Sequence, residues 1–213
     1  MIYATVRAYT DPEPGALLDD HEPYRALTQL HQGLPVWRTL ARLWPGQFRE
    51  PLAQNLLVQA EALQALGRTG QALAPAAEAV AIWQDLAAGR PARFTAGLAE
   101  AAARRACVLA AAGQQAQAAA AIGEAARLYR DLAVPGTGGK YLADLADSLT
   151  SQAGWLTDMG RDGEALAVIG EAVSLQDRLP HAARPAPGTV WFAGETITAN
   201  GGELPYAMGT SNG

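Results

Sequence analysis

The sequence predicts an all-α fold, a solenoid of antiparallel helical hairpins with short non-helical or β-like ends. Three observations carry that expectation. Landmark residues recur at a spacing of 46 and then 47 residues: Phe48, Phe94 and Tyr141 open each copy, Gly67, Gly113 and Gly160 mark the turn inside it, and Leu86, Leu132 and Leu179 close it. Self-similarity at a fixed period means that each unit buries its apolar face on its neighbours. Much of the 49% hydrophobic share is alanine, while aromatic residues make up 7%. Alanine has the best helix propensity, and its small side chain lets helices approach closely. Within a copy the apolar residues fall at three- and four-residue spacing, as in Leu142, Ala146, Leu149, Ala153 and Leu156, which places them on one helical stripe.

The elements follow in order. Residues 1–10 alternate Ile2, Ala4, Val6 and Ala8 against polar or aromatic neighbours, a period of two that suggests a strand. Residues 11–15 form a proline-containing turn. Shifting residues 71–94 back by 46 places Leu27, Trp37 and Leu40 on Leu73, Trp83 and Leu86, so residues 25–43 read as the second helix of a degenerate half-repeat. Pro35 should kink or break that helix. The first full copy has helices at 50–66 and 71–88, and the second at 95–112 and 115–133. In the third, Asp144 and Asp147 sit in the first turns of a helix that Gly160 ends. Its partner, residues 163–178, turns Ala165, Ile169, Ala172 and Val173 inward, and Pro180 terminates it. Short loops within each hairpin make the paired helices antiparallel neighbours.

The organisation is therefore an N-terminal segment (1–24), a helical repeat domain (25–179) and a proline-rich linker with a C-terminal stretch (180–213). The repeat domain divides into a half-repeat at 25–47 and copies at 48–93, 94–140 and 141–179. In the last stretch, Val190–Phe192 and Thr196–Thr198 are strand-like and Asn200-Gly201-Gly202 is a turn signal ahead of residues 204–208. A β-hairpin and a flexible tail are both compatible with that pattern.

Charge and composition exclude several function classes. A net charge of −5 gives no electrostatic footprint for nucleic acid. Cys107 is the sole cysteine, so neither an intramolecular disulfide nor a cysteine-based metal site is expected, and a reducing cytoplasm is the natural compartment. The first residues lack the apolar run of a signal peptide, and no stretch approaches the roughly 18 apolar residues of a membrane span.

Each copy carries a small-residue pattern that resembles tetratricopeptide repeats: a small and a large residue on the first helix, a turn glycine, then two alanines on the second. The first copy gives Ala60, Leu63, Gly67, Ala72 and Ala79; the second gives Ala106, Leu109, Gly113, Ala118 and Ala125; the third gives Ala153, Leu156, Gly160, Ala165 and Ala172. The resemblance covers residues 25–179 and implies a right-handed superhelix that acts by docking peptides or proteins. The period departs from the family's 34 residues by about a third, as in extended bacterial members. Gln59, Arg105 and Gln152 stand where leucine is usual.

Residues that suggest chemistry mostly reduce to packing. Gly136-Thr137-Gly138-Gly139-Lys140 looks like a phosphate loop, but Val134 replaces the required first glycine and Tyr141 the magnesium-binding hydroxyl. His21, His31 and His181 lack ligand-spaced partners, so no metal or cofactor is expected. Cys107 lies among Ala103, Ala106 and Ala110 as a small hydrophobe. Glu78, Glu124 and Glu171 share a register and read as a solvated outer ridge, with Glu124 able to pair with Arg127. Trp37, Trp83 and Tyr129 share another, placed to pack on the next hairpin, whereas Trp155 has no aromatic counterpart in the other copies.

The most plausible functional surface is the inner wall built by the first helices. Superposing the copies on the family's ligand-facing positions gives Gln54, Leu57, Glu61 and Gln64, then Glu100, Ala103, Arg104 and Cys107, then Asp147, Thr150, Ser151, Gly154 and Asp158. This wall is mixed and mildly acidic and lacks a basic carboxylate clamp. An extended protein segment carrying a basic residue suits it; a solvated groove with no ligand is the alternative. The leading expectation is thus a non-catalytic, cytoplasmic protein- or peptide-binding scaffold. Its rival is an assembly module whose ends, with Val190, Trp191 and Phe192, cap the array or close a homo-oligomer. No convergent set of groups supports an enzyme.

Overall fold

The computed structural model describes residues 22–133, 140–176, 189–192 and 195–198. The predicted strand and turn at 1–15, the phosphate-loop-like segment at 134–139, the linker at 180–188 and the turn at Asn200 lie outside these, as do His21, His181 and Leu179. Among the described residues the fold is helical: α1 (Pro23–Leu43), α2 (Pro45–Ala65), α3 (Thr69–Gly89), α4 (Pro91–Ala111), α5 (Gln115–Leu132), α6 (Lys140–Asp158) and α7 (Asp162–Gln176). Each helix packs on the next, and α2 also touches α4, the pattern of a helical repeat. A short antiparallel hairpin follows, β1 (Thr189–Phe192) on β2 (Glu195–Thr198), with Val190 opposite Ile197 and β1 beside α6.

The three turn glycines do the same thing three times. Gly67, Gly113 and Gly160 have φ of 70°, 76° and 70°, the left-handed region where a side chain is disfavoured. At the first, the Arg68 N–H donates to the Leu63 carbonyl and the Gly67 N–H to that of Gln64. Gln114 and Gly113, and then Arg161 and Gly160, repeat both bonds. Two otherwise unpaired carbonyls at the end of each first helix are satisfied in this way, and the chain is aimed into the second helix.

The starts of α2 and α4 lie about one turn earlier than periodicity alone predicts, at Pro45 and Pro91. Proline fits a first helical position because its missing N–H would have no partner there and its φ is already helical. Pro35 does not break α1, which is continuous from residue 23 to 43. One lost hydrogen bond is tolerated because Leu30, Leu34, Trp37 and Leu40 bury one face of that helix along both sides of the proline.

Between successive hairpins the contact is aromatic. Trp37 meets Phe48 with ring centroids 6.1 Å apart, Trp83 meets Phe94 at 6.2 Å, and Tyr129 stacks on Tyr141 at 6.4 Å. The aromatic register of the second helices therefore joins each hairpin to the one that follows. Trp155 is buried in the same core as these residues. On α7, Val173 is 53% exposed and not inward, because no described helix follows to cover the face that α3 and α5 bury.

Candidate functional site

A cleft of about 360 Å³ opens between α2 and α4. Four of the thirteen residues expected on the inner wall line it: Gln54, Leu57, Glu100 and Arg104. Its floor is apolar, made by Leu57, Val58, the edge of Trp83 and the bare backbone of Gly97. Leu57 is buried and contributes to the core as well as to the floor. The opening depends on a glycine, since a Cβ at Gly97 would stand 2.4 Å from the Trp83 ring. Sequence reasoning passed over Gly97; the signal available was a glycine inside a helix opposite a tryptophan, which marks close approach. The Trp83 indole Nε1 is buried with no hydrogen-bond partner.

Ion pairs close both ends. At one, Arg93 donates to Glu50 at 2.9 Å while its guanidinium lies 4.7 Å from the Phe94 ring centre. At the other, Arg104 bonds Glu61 of α2 and, at 2.8 Å, Glu100 one turn back on α4. Arg93 and Arg104 are 11 residues apart, about 16 Å along the helix. Burial acts to lower the Arg104 pKa, but the charges of Glu61 and Glu100 and their hydrogen bonds hold it above its ordinary value. The second- and first-copy carboxylates of the wall are thus neutralised by one arginine.

The α6 part of the wall differs. Asp147 is half-buried, and that burial, reinforced by the neighbouring Asp144, pushes its carboxyl up to about 6. Thr150 spends its hydroxyl on the Ala146 carbonyl at 2.8 Å, Ser151 is half-buried, and Asp158 is exposed. None of these four lines the α2–α4 cleft, and Gln64 and Glu61 lie beyond its lining as well. Tyr129 connects the two regions. Burial raises its phenol pKa, the carboxylates of Asp144 and Glu100 add to this, and Arg104 opposes it.

The acidic ridge is not merely solvated. Arg38 of α1 bonds Glu78 of α3 at 2.6 Å, and Arg130 of α5 bonds Glu171 of α7 at 2.8 Å. The bond to Glu78 outweighs desolvation and raises the Arg38 pKa. Between them the register holds Gln84 opposite Glu124. Arg127 reaches Asp131 at 3.6 Å and not Glu124, which has no ion pair among the described residues. A partner one turn onward on the same helix competes directly with the one a turn back.

Among the described residues no group of His, Cys, Asp and Glu is placed to hold a metal ion, and no helix is long and apolar enough to cross a membrane. Neither a protein-family model nor a curated protein matches this chain.

Proposed function

We propose that the chain is a tetratricopeptide-like array, a right-handed solenoid that binds a protein segment in its concave face without catalysing a reaction. The cleft between α2 and α4 carries this reading. It joins inner-wall residues of two copies around an apolar floor of Leu57, Val58 and Trp83, with polar groups at the rim. Five polar or charged residues, Glu50, Gln54, Arg93, Glu100 and Arg104, surround that floor, and a concave site with convergent polar groups is a form that recognition sites take. The triplicate glycine turn and the repeated aromatic joint support the array. A basic residue in the bound segment suits the wall, because Asp147 gains a counter-charge there that nothing among the described ion pairs supplies. Binding of an extended peptide library to the intact chain and to Gln54→Arg, which fills the cleft from an exposed position, tests this. Peptides with an apolar and a basic residue should lose about tenfold in affinity, or 1.4 kcal/mol. Unchanged binding by the variant rejects the cleft.

One observation favours a second reading, assembly through the ends. Leu166 and Val173 of α7 are 70% and 53% exposed, although the equivalent Ala119 and Ala126 are buried. A stacking face without a neighbour is an interaction surface. Mass in solution, compared between the intact chain and a Leu166→Glu, Val173→Glu variant, distinguishes the readings. A monomer in both removes this one.

A further inference from the structure

A second cleft, about 470 Å³ in volume, lies between α1 and α3 above α2, and it shares no lining residue with the first. We propose that it binds an acidic peptide segment, with the Arg68 guanidinium taking a carboxylate and glutamine amides taking the backbone. The first argument is charge. The chain carries a net charge of −5, yet among the described residues no carboxylate lines this cleft. Its polar groups are Arg68, His31, Tyr24, Thr28, Gln32, Gln59 and Gln71, all able to donate hydrogen bonds.

The second argument is the state of Arg68. Arginines 38, 49, 93, 104 and 130 each bond a carboxylate on another helix. Arg68 has no carboxylate partner among the described residues and is instead held by the Gln71 side-chain oxygen at 2.7 Å. Its backbone is fixed by the glycine turn through the bond to Leu63, and the Gln71 contact sets the guanidinium on the rim. A guanidinium is built for a planar carboxylate, with two parallel N–H donors.

The third argument concerns shape. Leu27, Leu63 and Pro75 give the cleft an apolar strip. Tyr24, 73% exposed, and exposed Thr28, His31 and Gln32 leave its mouth wide, which admits a chain passing through. A glutamine amide both donates and accepts, as a peptide unit does. In the third copy, Gln152 uses its amide on the Ala119 carbonyl of α5 at 3.4 Å. Gln59, at the same register, faces the open cleft.

Fluorescence anisotropy of a labelled short peptide alternating Glu and Leu, titrated with the full chain, tests the proposal. Saturable binding should weaken about tenfold in R68E, the size of one lost charge-assisted bond. The same peptide with Gln in place of Glu should weaken similarly, and salt should reduce affinity. The Arg68 side chain takes no part in the turn, so R68E should melt with the wild type; if it does not fold, R68Q carries the same comparison. Three outcomes overturn the proposal: no saturable binding, undiminished binding by R68E or R68Q, or displacement by glutarate as effective as by unlabelled peptide, which reassigns the cleft to small anions.

Discussion

Asp147 keeps its proton to about pH 6 because it is half-buried and stands beside Asp144. Its ordinary value is 3.8, so between these limits the folded chain holds a proton that the unfolded chain has released. Stability therefore falls as pH rises through that window, and above it the ionised carboxylate is a standing cost. Asp147→Asn should remove the pH dependence between roughly 4 and 6 and add about 1 kcal/mol at pH 7.5 after screening by solvent. Denaturant unfolding at about pH 4 and at pH 7.5 measures it, and equal gains at the two would show that charge is not the cause. Gly97 gives the opposite case. A methyl there overlaps the Trp83 ring, so Gly97→Ala should cost about 1–3 kcal/mol despite its better helix propensity. A gain in stability would mean that the indole is free to move.

At the scale of elements, arginine–glutamate bridges join α1 to α3 and α5 to α7. Arg38, Gln84 and Arg130 share a register, as do Glu78, Glu124 and Glu171, so the middle bridge lacks its cation. Gln84→Arg should complete it opposite Glu124. The gain should be about 0.5 kcal/mol and should vanish in high salt, since exposed pairs are weak. Gly113→Ala should cost about 1 kcal/mol by forcing a side chain into the left-handed region. A melting temperature unmoved by that change would contradict the turn geometry. Helices, turn glycines and aromatic joints were legible in the sequence because each is set by residues within one period. The bridges were not, since Arg38 and Glu78 are 40 residues apart and only the packing of α1 against the α2–α3 hairpin decides their meeting. Likewise four of thirteen inner-wall positions meet in one cleft, and that cleft includes Gly97, whose close approach to Trp83 lies 14 residues away in sequence.

For the whole molecule, position in the array overrides residue type. Val80 and Val173 share a register, yet the first is 4% exposed and the second 53%. Val80→Glu should cost about 3 kcal/mol by burying a charge, while Val173→Glu should change stability by less than about 0.5 kcal/mol. Equal effects, read from chemical denaturation of the two variants, would mean that something covers α7. Neighbour-only contact also predicts that damage at one joint loosens adjacent hairpins more than distant ones.

The fit of Trp83 over Gly97 bears on whether the hairpins can be exchanged. At the same register the joints before and after it carry Pro51 and Asp144, and the aromatic register there carries Trp37 and Tyr129. The three joints thus differ in the residue at this register although the period is kept. The hairpins are consequently not interchangeable. Swapping the second and third copies would set an indole against an aspartate side chain, and the shuffled chain would have the same composition and period without the same fit.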